Sequence, residues 1–338
     1  MDHKLPPYAS TGHKIWYYSF RVICGLIFFF LIAPILIIIP LSFNAQDFFT
    51  FTPEMLRLDP EGYSLQHYQE FFGQEGNPWL GLGVGAALGA AFAAVIWFVK
   101  EERNIFIPIF VGAVLGMIVG KLWGVEGAEW MTPLKNSLMI APVATLMAVS
   151  LGTLAAIGLS QSHVPFKGAI MAILISPMIV PLIISAAGMY FFYSRIGLQG
   201  TYWGVVLSHA ALGIPFVIIT VTATLVGFDR SLTRASASLG ANPVTTFFRI
   251  QMPLILPGVI SGGLFAFITS FDEVVVVLFV GSAGQQTLPW QMFTGLREQI
   301  SPTILAAATI LVSISILLLT AVELLRRRSE KLRGMSPG

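Results

Sequence analysis

Two adjacent carboxylates, Asp272 and Glu273, fall inside the apolar stretch 258–280, and they are the first place where this sequence could do chemistry. A charged side chain at the centre of a membrane helix costs about 2.5 to 3.5 kcal/mol on insertion scales, so such a group faces a partner or a water-filled path. What it offers there is ionic: a carboxylate holds a cation. Successive residues of a helix point about 100° apart, so the two carboxylates do not share one lumen. One is expected to meet the solute's path and the other a neighbouring subunit or a helix terminus. The alternative role is an interfacial hydrogen-bonded pair. Phe271 stands beside them, and Pro177, Pro181 and Tyr190 lie on an earlier apolar segment that prolines interrupt, a pattern of helices shaped around a pathway. These four residues complete the candidate substrate route.

Other chemistries lack their residues. The histidines at 3, 13, 67, 163 and 209 form no spaced cluster with cysteine or carboxylate, so no metal site is expected. Cys24 stands alone in the first apolar segment, where it reads as a small hydrophobe. Neither G-x-x-x-x-G-K-[ST] nor G-x-S-x-G occurs, and no nucleophile is paired with a base. The chain is therefore expected to be no enzyme and to bind no cofactor; any ATP and Mg must be bound by a partner subunit. No basic stripe is interleaved with aromatics, which excludes a nucleic-acid partner.

The elements that must position these residues are set by composition. Of 338 residues 55% are hydrophobic and 11% charged, with mean hydropathy +0.79. A helix needs roughly 20 mostly apolar residues to cross a bilayer. Eight stretches qualify: 16–43, 79–99, 105–124, 137–160, 168–192, 203–227, 258–280 and 303–325. With the N-terminus inside, only Arg57, Lys121, Lys135, Arg195 and Arg297 of the 19 Lys and Arg fall outside. The positive-inside bias thus predicts cytoplasmic termini. The reading divides the chain into a cytoplasmic tail 1–15, a first transmembrane helix 16–43, an acidic extracytoplasmic loop 44–78, a glycine-rich hairpin 79–130, a core 131–325 and a basic tail 326–338. In the hairpin, Gly81, Gly85 and Gly89, then Gly112, Gly116 and Gly120, recur every fourth residue, a spacing that lets two membrane helices approach closely.

Between the sixth and seventh apolar stretches lies a polar segment, 228–257, with its own spaced residues. Gly240 is followed ten residues on by Ile250, then by Met252 and Pro253; Arg234, Ala235 and Ser236 stand upstream, and Ala241 and Pro243 follow the glycine. The spacing G-x9-I-x-[LM]-P resembles the "EAA" loop of bacterial ABC importer permeases, with Arg234, Ala235 and Ser236 at the positions of E-A-A. The stretches 207–232, 270–293, 300–312, 63–72 and 135–142 resemble the polyamine-type permeases of spermidine and putrescine importers. Leu182 stands where that subfamily commonly has an acidic residue after the proline.

The resemblance implies an all-α membrane fold, the transmembrane domain of a type I ABC importer, with six core helices and an inserted two-helix hairpin, about eight crossings. It implies that 234–253 forms a coupling helix against a cytoplasmic ATPase. The implied partners are a second permease subunit, two ABC ATPases, an extracytoplasmic solute-binding protein and the bilayer of a bacterial inner membrane. The implied solute is a small cation of polyamine type. The alternatives are another small organic solute in the same class, such as an opine, an amino-acid derivative or a phosphonate, or a self-sufficient carrier that would use Asp272 and Glu273 as an ion relay.

Overall fold

The computed structural model describes residues 10–72, 129–161, 164–229, 231–298 and 301–316. Among them the chain is helical, and the one strand-like contact is an isolated antiparallel bridge between Asn44 and Tyr63. The glycine stripes at 81–89 and 112–120 lie outside the described residues.

Helix α1 (Thr11–Leu41) buries none of its most apolar window, and side chains such as Trp16, Phe28 and Phe30 point outward. Only a hydrocarbon solvent or another apolar chain tolerates such a surface. The segment after it folds into α2 (Pro53–Leu56), a 3-10 turn (Pro60–Gly62) and α3 (Gln66–Phe72). Phe71 stacks on Trp130, and the Glu70 carboxylate accepts the Thr303 hydroxyl at 2.5 Å, so α3 is tied to the last of the described helices.

The remaining elements are α4 (Met131–Ser160), α5 (Lys167–Ile179), α6 (Leu182–Ile196), α7 (Tyr202–Val226), α8 (Ser231–Ser238), α9 (Pro243–Thr246), α10 (Met252–Phe271), α11 (Val275–Val280), α12 (Leu288–Glu298) and α13 (Thr303–Ile316). Helices α4, α7 and α10 form the core. Their contact is made by small residues, since lipid supplies no hydrophobic drive between helices and close van der Waals packing must replace it. A Cβ on Gly262 of α10 would stand 2.7 Å from the Val217 Cα of α7, and one on Gly213 would stand 2.8 Å from the Ala266 Cβ. At both places only glycine lets the backbones meet.

Three spans differ from expectation. The first core helix begins at Met131 rather than 137, because Trp130, Met131 and Leu134 are buried and hold the extra turns. The stretch 168–192 is not one continuous helix: α5 and α6 meet at 104° across Val180 and Pro181. Proline removes an N–H and drives the residue before it out of the helical region, and Val180 is extended at φ −68°, ψ 136°. The stretch 258–280 is not one helix either. A continuous helix of 29 residues runs from Pro243 to Phe271, about 43 Å by its rise per residue, and stops there. The first turns of that helix therefore lie inside the expected loop 228–257.

Candidate functional site

The break at the end of α10 separates the two carboxylates. The Asp272 N–H donates to the Ile268 carbonyl at 3.1 Å, closing the helix, and Asp272 itself is exposed. Glu273 is only 6% exposed, and its Oε1 accepts the Val276 N–H at 2.9 Å. An anion at a helix N-terminus satisfies an otherwise unpaired donor and meets the positive end of the helix dipole. Glu273 thus caps α11, whose Val276, Val277 and Val280 pack with Ala186 of α6. From the other side, the Asn136 amide donates to the Gly284 and Gln286 carbonyls at 3.0 and 2.8 Å, and the Ser137 hydroxyl accepts the Leu288 N–H at 2.8 Å. The backbone beyond the break is held between α4 and α6.

Asp272 opens into a cleft between α10 and α13. Its apolar walls include Leu264, Phe267, Ile268 and Leu311, and Ser315 adds one hydroxyl. Phe271 lines the same cleft, although only 3% of its surface is exposed. A single carboxylate among apolar walls can hold a cationic group carried on an apolar stem. Pro177, Pro181 and Tyr190 do not line it: Pro177 lies within α5, Pro181 makes the bend, and Tyr190 sits on α6 at 37% exposure. Among the described residues no group of three His, Cys, Asp or Glu could hold a metal ion.

At the other end of α10 the residues of the G-x9-I-x-M-P pattern build a compact corner. Asp229 accepts the Ser231 N–H and hydroxyl at 2.8 and 2.7 Å and starts α8, which carries Arg234, Ala235 and Ser236. Gly240 closes α8 with φ +81°, a left-handed conformation that favours glycine. The Ala241 N–H reaches back to the Ser236 carbonyl at 3.1 Å and the Gly240 N–H to that of Ala237 at 3.0 Å, the paired bonds of a Schellman end. Asn242 then caps α9 through Thr245, and Pro243 occupies its first turn. A buried bond of 2.6 Å between the Ser236 and Thr246 hydroxyls locks the two short helices together. Ile250 lies in a π turn (Phe247–Gln251), and Pro253 in the first turn of α10. Leu239 at 88%, Val244 at 63% and Phe248 at 62% stay exposed on this corner.

Two residues that sequence reasoning missed sit near the break. His209 of α7 is 1% exposed, and its Nδ1 lies 2.8 Å from the Ser270 Oγ of α10. A signal was available for Ser270 alone: Gly258, Gly262, Ala266 and Ser270 repeat every fourth residue, the spacing that marks the 79–130 stretch.

Four described helices, or five if the bent pair α5–α6 counts as one span, are long and apolar enough to cross a membrane, which defines a multi-pass membrane protein. Residues 112–331 match the family described as "Binding-protein-dependent transport system inner membrane component". The chain belongs to that family. It is similar to the Spermidine/putrescine transport system permease protein PotC of Haemophilus influenzae, with 32% identity over 194 residues, 57% of this chain and 76% of that protein. The Putrescine transport system permease protein PotI of Escherichia coli is 33% identical over 186 residues, 52% of this chain and 65% of that protein. Among solved structures, a bacterial ABC transporter involved in the import of the acidic polysaccharide alginate superposes with a TM-score of 0.59 at 14% identity, covering 94% of this chain and 97% of that one. The fold is that of an ABC importer membrane domain.

Proposed function

We propose that this chain is a permease subunit of an ATP-driven importer and moves a small, polyamine-like cation into the cytoplasm by alternating access. The observation that carries the reading is the position of Asp272, an exposed carboxylate at a helix break in an otherwise apolar cleft. A free carboxylate facing lipid would cost about 2.5 to 3.5 kcal/mol, whereas one facing a solvated path attracts cations at little cost. Similarity to PotC and PotI, whose names specify spermidine and putrescine, supports the choice of cation.

The corner built by α8 and α9 is the coupling element. Its exposed Leu239, Val244 and Phe248 suit a groove on a partner ATPase, and the Ser236–Thr246 bond gives it the stiffness to transmit displacement. The continuous helix from Pro243 to Phe271 joins this corner to the Asp272 break, so motion at one end reaches the other without a flexible linker. A second permease completes the pathway, two ABC ATPases bind ATP and Mg, an extracytoplasmic binding protein delivers the solute, and both termini lie in the cytoplasm.

The test is ATP-dependent uptake of radiolabelled putrescine by the complete transporter in proteoliposomes. Gly240→Pro, which cannot adopt the positive φ, should leave the complex in the membrane while uptake falls at least about tenfold. Uptake that is unchanged in the variant removes the coupling role. Uphill transport by this chain alone without nucleotide removes the importer reading altogether.

A further inference from the structure

We infer that His209 and Ser270 are a positioning pair that fixes where α10 ends and so aims Asp272 into its cleft. This rests on the proposal that Asp272 faces the path of the solute. Helices α7 and α10 run antiparallel along a seam of close contacts: Thr224 against Gly258, Thr220 against Gly262, Gly213 against Ala266, and finally His209 against Ser270. Van der Waals packing of small residues fixes how closely α7 and α10 approach but favours no one direction, so the seam alone resists a small rotation of α10 about its axis only weakly. A hydrogen bond is directional. The His209–Ser270 bond, at 2.8 Å, is the one place in this series where a polar pair crosses from α7 to α10.

Its location matters as much as its geometry. Ser270 precedes Asp272 by two residues, and the last helical bond, from the Asp272 N–H to the Ile268 carbonyl, falls in the same turn. Each residue turns the helix by about 100°, so even a small rotation of α10 at Ser270 redirects the Asp272 side chain. The pair also carries a cost that packing alone does not explain. His209 Nε2 is buried without a hydrogen-bond partner among the described residues. An unpaired buried polar atom is unfavourable, and an apolar filler at 209 would avoid that loss. The directional bond to Ser270 is what a histidine supplies there and an apolar residue does not.

The experiment reads the position of residue 272 and does not depend on knowing the solute. In the complete transporter with Cys24→Ala, Asp272→Cys and, separately, Leu311→Cys on the facing wall report reaction rates with a cationic methanethiosulfonate reagent. Interhelical hydrogen bonds in membranes have strengths that correspond to about three- to twentyfold changes, and Ser270→Ala and His209→Ala should each shift the rate at 272 by about that factor. The double variant should shift it no further, Ser270→Thr should restore it, and the rate at 311 should hold in every background. If the rate at 272 is unchanged in both single variants, the inference is overturned. Equal shifts at 272 and 311, or additive effects of the two substitutions, overturn it as well, because they report general loosening. His209→Asn, which keeps a short polar group, provides the comparison should His209→Ala fail to reach the membrane. Wild-type putrescine uptake by Asp272→Asn would instead sink the solute role of Asp272 while leaving these rates as they are.

Discussion

The two carboxylates illustrate how far neighbouring residues can diverge in task. Glu273 serves the backbone, and Asp272 faces open space. Asp272→Asn should therefore raise the KM for cation uptake by about tenfold or more with little change in thermal stability, measured on the purified transporter. Glu273→Ala should do the reverse, lowering stability by about 1 kcal/mol, the usual cost of a lost cap. If the two variants behave alike, the division of labour fails. Asp229 gives a second residue-scale test. The Ser231 hydroxyl, then the Ser231 amide, and more weakly the charge of Arg234 hold its carboxyl below the ordinary carboxylate range. A lowered folded pKa means that the support Asp229 gives α8 is complete above the unfolded value, about 3.9, and is lost as pH falls through the folded one. Hydrogen exchange at Ser231 and Leu232 should rise beyond its intrinsic trend only below about pH 4, and Asp229→Ala should remove that step. The sequence made the carboxylates conspicuous because a charge stands out in an apolar run. It did not show the break between them, since VVVVLFV at 274–280 continues the hydropathy without interruption. His209 was hidden for a related reason: a lone histidine with no nearby cysteine or carboxylate gives no pattern, and its partner Ser270 is 61 residues away.

Elements differ in how openly the sequence declares them. The corner at 231–251 was legible as a spaced pattern, Gly240 to Ile250 and Pro253, and the structure gives two residues of the corner a turn to make: Gly240 a positive φ and Pro243 a first turn. The bend between α5 and α6 was only half legible. Pro177 and Pro181 were visible, but a proline inside a helix and a proline between two helices look the same in one dimension. The glycine seam was missed where it matters most, since Gly258, Gly262, Ala266 and Ser270 mix three residue types and lie outside the glycine-rich stretch. The seam makes a clear prediction about packing. Gly262→Ala forces a methyl to within 2.7 Å of the Val217 Cα, and backbone cannot step aside as a flexible side chain can. Overpacking of this kind costs about 1 to 3 kcal/mol. Gly158→Ala on α4 meets nothing within 4 Å and should be neutral or stabilising by up to about 1 kcal/mol. The thermal midpoint should therefore fall in Gly262→Ala and hold or rise in Gly158→Ala; a Gly262→Ala variant as stable as the parent would mean that α7 and α10 are not locked by close contact.

At the scale of the molecule, the outward faces of α1, α5 and α6 imply that much of this surface is covered by lipid or by a second permease, and neither face announces a side of the membrane. Orientation has to come from charge. With the N-terminus inside, one crossing carries the acidic segment 44–72 out, and the proposed parity of crossings returns the α8–α9 corner to the cytoplasm. Two residues read this directly, because both are well exposed: Leu58 at 78% and Leu239 at 88%. In a Cys24→Ala background, Leu58→Cys should react with a membrane-impermeant maleimide in intact spheroplasts, while Leu239→Cys should react only after permeabilisation. The corner presents Leu239, Val244 and Phe248 to whatever lies on that side, and an ATPase has access to them only if that side is the cytoplasm. Labelling of Leu239→Cys from outside would place the corner where no nucleotide is available, and coupling to ATP would fail with it. Labelling of both positions from the same side would leave an even number of crossings between α1's start and α8 untenable: either the expected hairpin at 79–130 would cross an odd number of times, or the bent pair α5–α6 would enter and leave on one side.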